Sequence, residues 1–137
     1  MTSTLISRAS VAVLLVAGLM LLFAPEIVLS RLIAGYPAAG LWLGQVLGAA
    51  WLGVAALNWL NRSAVLGGIY GRPTVMGNLI LHFISALVIL KAAQRAGFPG
   101  MLCLLAASAA VLAIAYGVLL LRGPFAADAS AQGVRQA

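Results

Sequence analysis

Acidic side chains are almost absent from this chain: Glu26 and Asp128 are the only two among 137 residues. Lysine and arginine contribute eight more charges, and charged residues make up 7% of the sequence. A soluble domain of this size needs charge over most of its surface, so that class is excluded. Histidine occurs once, at His82, and cysteine once, at Cys103. A single cysteine cannot form an intramolecular disulfide. With no basic residue beside it, Cys103 reads as a small buried hydrophobe rather than a reactive thiol. No basic stretch is interleaved with aromatic residues, which argues against nucleic-acid binding.

What the chain has instead is hydrocarbon. It is 64% hydrophobic, with a mean hydropathy of +1.14. A bilayer core of about 30 Å takes roughly 20 helical residues, and four segments qualify: residues 5–24, 38–60, 73–90 and 101–121. Pro25 marks the end of the first, Pro73 suits the first turn of the third, and Arg122-Gly123-Pro124 stops the fourth. Arg8 before the run Val11 to Ala24 fits the plan of a signal peptide. Leu22 and Pro25 around Ala24 do not suit cleavage, so the segment is read as a retained helix. Short connections then predict an all-α membrane protein, an up-and-down bundle of four transmembrane helices spanning residues 1–123. Residues 25–37 are expected to lie along the membrane surface, and Ser63 to Arg72, with Gly67, Gly68 and Gly71, to form a flexible turn. The small, polar tail 124–137 is expected to be disordered.

The basic residues cluster at the ends of these spans. Arg8, Arg62, Arg72, Arg122 and Arg135 fall on one side and Arg31, Lys91 and Arg95 on the other. Five against three places both termini in the cytoplasm. Arg62, Arg72 and Arg122 are candidate contacts for lipid headgroups.

The second span carries Gly40, Gly44 and Gly48 at every fourth position, and the fourth span offers Ala109, Ala113 and Gly117. Small residues at this spacing let helices approach closely, which drives association in lipid. They are therefore assigned to helix packing, within the bundle or between two copies.

Polar residues inside the spans are few. At about 100° per residue, Thr74, Asn78, His82 and Ser85 fall within an arc of roughly 80° on the third helix. Depth matching across antiparallel helices sets Ser108 level with His82, Tyr116 level with Asn78, and Gln45 near Ser85. The expectation is one polar cluster of Gln45, Asn78, His82, Ser85, Ser108 and Tyr116 between three helices. Such groups must face protein, water or a ligand. No carboxylate lies within a span to orient His82, no second metal ligand is present, and one histidine cannot supply both axial ligands of a haem unless a dimer contributes two. Neither a catalytic residue, a metal nor a cofactor is assigned.

Leu22-Phe23-Ala24-Pro25-Glu26 closes the first helix, Asn58-Trp59-Leu60 closes the second, and Gly68-Ile69-Tyr70-Gly71-Arg72-Pro73 leads into the third. In these motifs, across residues 5–122, the chain resembles small four-helix membrane proteins of bacteria, DoxX-like in size and hydropathy. The resemblance implies a four-helix fold and transfers no catalytic residue. The resulting expectation is a non-enzymatic packing or accessory component, with membrane lipids and a second copy or other membrane subunits as partners. The second reading is a binding protein for a lipid-like or aromatic molecule in a pocket around His82, and the third a membrane redox or enzyme subunit.

Overall fold

The computed structural model describes residues 2–62 and 71–122. Among them no strand occurs, and the class is all-α as predicted. The helices are α1 (Thr2–Phe23), α2 (Pro25–Leu32), α3 (Leu41–Leu60, preceded by a 3-10 turn at Ala38–Gly40), α4 (Gly71–Arg95) and α5 (Gly100–Arg122). Four segments are long and apolar enough to cross a membrane: Thr4–Phe23, Ala38–Leu60, Arg72–Arg95 and Gly100–Leu121. This is a multi-pass membrane protein. Of the expected turn Ser63–Arg72, residues 63–70 lie outside the described residues while Gly71 and Arg72 open α4 instead; the tail at 124–137 and the side chain of Arg122 also lie outside them.

The distribution of polarity matches that assignment. Leu121 is 85% exposed and Leu104 66%, whereas Ser10, Asn58 and His82 are buried to 0%, 1% and 4%. Apolar side chains turned outward and polar ones turned inward are what a hydrocarbon solvent selects. The buried positions form a narrow stripe on each helix. On α1 they are Ser7, Ser10, Leu14, Gly18, Leu21 and, continuing into α2, Pro25; on α4 they are Val75, Asn78, His82 and Ala93. Spacings of three and four keep such residues on one face.

The chain forms two compact units. In the unit Ser7–Arg62, α1 and α3 run antiparallel: Ser7 and Ser10 meet Asn58, and Gly18 meets Gly48 and Leu52. The α1–α2 break falls at Ala24, where Pro25 opens the new helix with a missing N–H and a fixed φ. Residues 25–32, within the segment expected to lie along the membrane surface, form α2, which brings Leu29 against Gly44 of α3. Within this unit Gly44 and Gly48 of α3 sit against α2 and α1. A methyl group on Gly48 would lie 2.7 Å from the Gly18 carbonyl oxygen, and one on Gly44 would lie 2.9 Å from Leu29 Cδ1. Gly40 takes a different role, packing under the Tyr36 ring, whose hydroxyl donates to the Gly40 carbonyl at 3.0 Å.

The other unit pairs α4 with α5 and includes the start of α1. Val75 and Tyr116 form its buried centre, with Ile6, Leu79, Leu119 and Leu120 packed around them. Helix α4 runs five residues beyond the expected limit of 90, to Arg95, with Lys91 and Arg95 both exposed. The helix stops at Gly97, φ +75°, with Phe98 N–H donating to the Ala93 carbonyl at 2.7 Å and Gly97 N–H to that of Gln94. This is a glycine-terminated Schellman closure. Ala109 and Ala113 are buried, and Gly117 faces Leu79.

The Gly18–Gly48 crossing leaves no room for a side chain, whereas a methyl on Gly53 meets nothing within 4 Å. Gly48→Ala is therefore expected to destabilise the protein by about 1–3 kcal/mol. Gly53→Ala is expected to be neutral or to stabilise by up to about 1 kcal/mol through helix propensity. Denaturant unfolding in detergent micelles, followed by circular dichroism, measures both.

Candidate functional site

Of the six residues expected to cluster, Asn78, His82, Ser85, Ser108 and Tyr116 lie on the α4–α5 pair and Gln45 on α3. The α4–α5 pair joins two of them: the His82 and Tyr116 rings stack with centroids 5.9 Å apart and planes 11° from parallel. Both are buried. Asn78, also buried, lies one turn before His82 on the same face, and its Nδ2 donates to the Thr74 carbonyl at 2.8 Å. The Ser108 hydroxyl turns back onto its own helix and donates to the Leu105 carbonyl at 2.9 Å. Ser85 is half-buried. Gln45 belongs to the Ser7–Arg62 unit, where it is exposed and its Nε2 donates to the Leu22 carbonyl at 3.4 Å.

Two geometric reasons account for these differences. The expected register placed the hairpin turn between residues 90 and 101, but the longer α4 centres it on Gly97 and Phe98. Partners on α5 are consequently displaced along the hairpin, and Tyr116 comes against His82. Gln45 has a suitable depth but follows the buried Gly44 by one residue, about 100° round the helix from the packing face.

A second polar cluster lies at the other end of the chain, and depth matching missed it. The Ser7 hydroxyl donates to the Asn58 carbonyl at 3.0 Å, and Asn58 Nδ2 donates to Ser10 Oγ at 3.2 Å. All three side chains are buried to 1% or less. The signal was present in the sequence: Ser7 and Ser10 open the three-and-four stripe that continues through Leu14, Gly18 and Leu21. Ser7, Ser10 and Asn58 lie near the ends of their spans, away from the mid-membrane depths that were matched. Beyond Asn58, the last carbonyls of α3 are satisfied by side chains, with Asn61 Nδ2 on the Leu57 oxygen at 3.0 Å and Arg62 Nη1 on the Trp59 oxygen at 2.6 Å. The Arg62 guanidinium also stacks 4.3 Å above the Trp59 ring. This headgroup candidate is thus engaged within its own helix end, while Arg72 is exposed.

Neither cluster has the composition of a metal centre: among the described residues no group of three or more His, Cys, Asp or Glu is placed to hold an ion. An apolar groove of about 550 Å³ lies on the α4–α5 pair, with Phe83, Leu87, Leu90 and Ile114 at its rims and Ala106 and Ala110 in its bed. It includes none of the six candidate residues. Phe83, Ala86, Leu87 and Leu90 lie on average about 90° round α4 from His82. Comparison with known protein families, curated proteins and solved structures finds no match to this chain.

The Asn58 bonds tie α3 to α1 at two points. Interhelical hydrogen bonds in membranes contribute about 0.6 kcal/mol on average and up to about 1.7. Asn58→Ala is expected to cost about 1–3 kcal/mol, because the buried Ser10 Oγ loses its amide donor while the Ser7 bond to the residue-58 main-chain carbonyl is kept. In a double-mutant cycle with Ser10→Ala, unfolding in detergent should show a coupling of at least about 0.5 kcal/mol. Strict additivity excludes the Asn58–Ser10 interaction.

Proposed function

We propose that this chain is a non-enzymatic packing or accessory component of a bacterial inner membrane, acting through its helix faces and its contacts with lipid. The observation that carries this reading is how the buried polar side chains are used. The described bonds of Ser7, Ser10, Asn58 and Asn78 run to neighbouring side chains or helix backbone, and the His82 ring is stacked on Tyr116. Groups committed in this way fix helix register. A catalytic histidine needs an orienting acid and a nucleophile within reach. No acidic residue occurs between 71 and 122. The exposed apolar surface fits membrane lipids first, and a second copy or other membrane subunits next. The basic-residue count favours both termini in the cytoplasm.

Two measurements test this. His82→Ala is expected to lower stability by on the order of 2–4 kcal/mol through lost packing. His82→Phe retains a ring against Tyr116 and loses less. Native mass spectra in detergent should show the same bound-molecule content in His82→Ala as in the unaltered protein. A small molecule released by His82→Ala at unchanged stability assigns the site to ligand binding instead. For orientation, green fluorescent protein fused after Ala137 should fluoresce and alkaline phosphatase fused there should be inactive. The reverse pattern inverts the topology.

A further inference from the structure

The groove on the α4–α5 pair poses its own question, because in a bilayer a depression in a membrane-spanning surface is filled by something apolar. Its bed is small: Ala86 on α4 faces Ala106, Ala107, Ala110 and Ala113 on α5. Its rims are large and turned outward, with Phe83 and Leu87 more than half exposed. Its volume, about 550 Å³, lies within the range of sites that hold a discrete small ligand, about 300–1,000 Å³.

Length and position select among apolar occupants. From Phe83 to Leu90 the groove covers about 10 Å of α4 at 1.5 Å per residue. It starts near the middle of the span Arg72–Arg95 and continues toward the α4–α5 turn. It is therefore confined to one leaflet, about half of the roughly 30 Å hydrocarbon core. A helix of a second copy crosses both leaflets and needs a continuous seat. A single acyl chain needs only this half.

Charge at the mouth identifies the headgroup. Lys91 follows Leu87 by four residues, which places it on the same face one turn nearer the turn region, and Arg95 follows Lys91 at the same interval. Both side chains are exposed, and the α4–α5 sequence contains no acidic residue to neutralise them. Lysine stems of this kind run along apolar surface and deliver the ammonium to phosphate depth.

We propose that this groove is a specific site for one acyl chain of an anionic phospholipid, with Lys91 holding its phosphate. The proposal adds a ligand to the packing role and does not depend on the His82–Tyr116 stack. The test uses the full chain, purified in mild detergent after equilibration with vesicles of equal parts phosphatidylglycerol and phosphatidylcholine, with retained lipid counted by native mass spectrometry. The expected result is one retained lipid per chain, with phosphatidylglycerol preferred about fivefold. Ala110→Leu fills the bed and is expected to remove retention of both lipids; Ala107→Leu, at an exposed position on the same wall, provides the same test should the first variant fold poorly. Lys91→Gln is expected to keep one lipid bound and lose the preference for phosphatidylglycerol. Undiminished retention in a correctly folded Ala110→Leu or Ala107→Leu variant overturns the proposal, as does equal retention of the two lipids by the unaltered chain. Cys103 lines the groove, so oxidative crosslinking of two chains through Cys103 in place of lipid retention assigns the groove to a second copy and overturns it as well.

Discussion

A polar side chain surrounded by hydrocarbon has no water to return to, and it must find its partner within the protein. That constraint organises each compact unit of this molecule. The exposed surfaces of the four long helices are leucine, isoleucine, valine and phenylalanine, which gain nothing by leaving lipid. Hydrophobic burial therefore cannot define where helices touch, and the defining contacts pass to the few groups that lipid rejects. In the α1–α3 unit these are Ser7, Ser10 and Asn58. In the α4–α5 pair the contact is the His82 imidazole stacked on the Tyr116 ring, beside the buried Asn78. Each unit has its polar lock on the same narrow stripe as its buried apolar residues.

Glycine provides the other half of the packing. At Gly18 and Gly48 the two backbones approach until a single methyl group is excluded, so dispersion contacts between main chains replace those that side chains make in a soluble core. The polar lock and the glycine crossing lie on the same face of α1, separated by two turns. One fixes register along the helix and the other fixes distance between the axes.

How much of this was legible depends on what each signal encodes. Span lengths and their limiting prolines are one-dimensional, and the sequence shows them directly: Ala38–Leu60 has the same boundaries in both readings. The glycine stripe announced a close contact but not its partner, since Gly18 is one glycine among many small residues of the first span. Register was misjudged because Lys91 was taken as a boundary, while a long cationic side chain lets the helix continue past its own position. The longer α4 displaces the hairpin turn, and with it the α5 partners of His82, among which Tyr116 stacks on the imidazole. Rotation was the other loss: Gln45 and Asn58 are both amides on α3, and only the second lies on the buried face. Depth can be counted from residue numbers, but facing requires the stripe.

The alanines of α5 show why small residues alone do not separate a contact from a cavity. Ala109 is buried, whereas Ala107 and Ala110 line the groove. Their side chains are identical, so the difference lies in what stands opposite. Where glycine meets glycine, the backbones close the gap themselves. Across the groove Ala86 faces further alanines, and the bulk that would fill the space, Phe83 and Leu87, points outward to the rims. A soluble protein would close such a gap or fill it with larger side chains, because an unfilled core cavity costs stability. In a bilayer the solvent itself consists of chains of the right thickness, so an open bed is stable as long as a lipid lies in it. With Lys91 and Arg95 above that bed, the α4–α5 surface selects lipid by charge as well as by shape, and the bilayer becomes part of its packing.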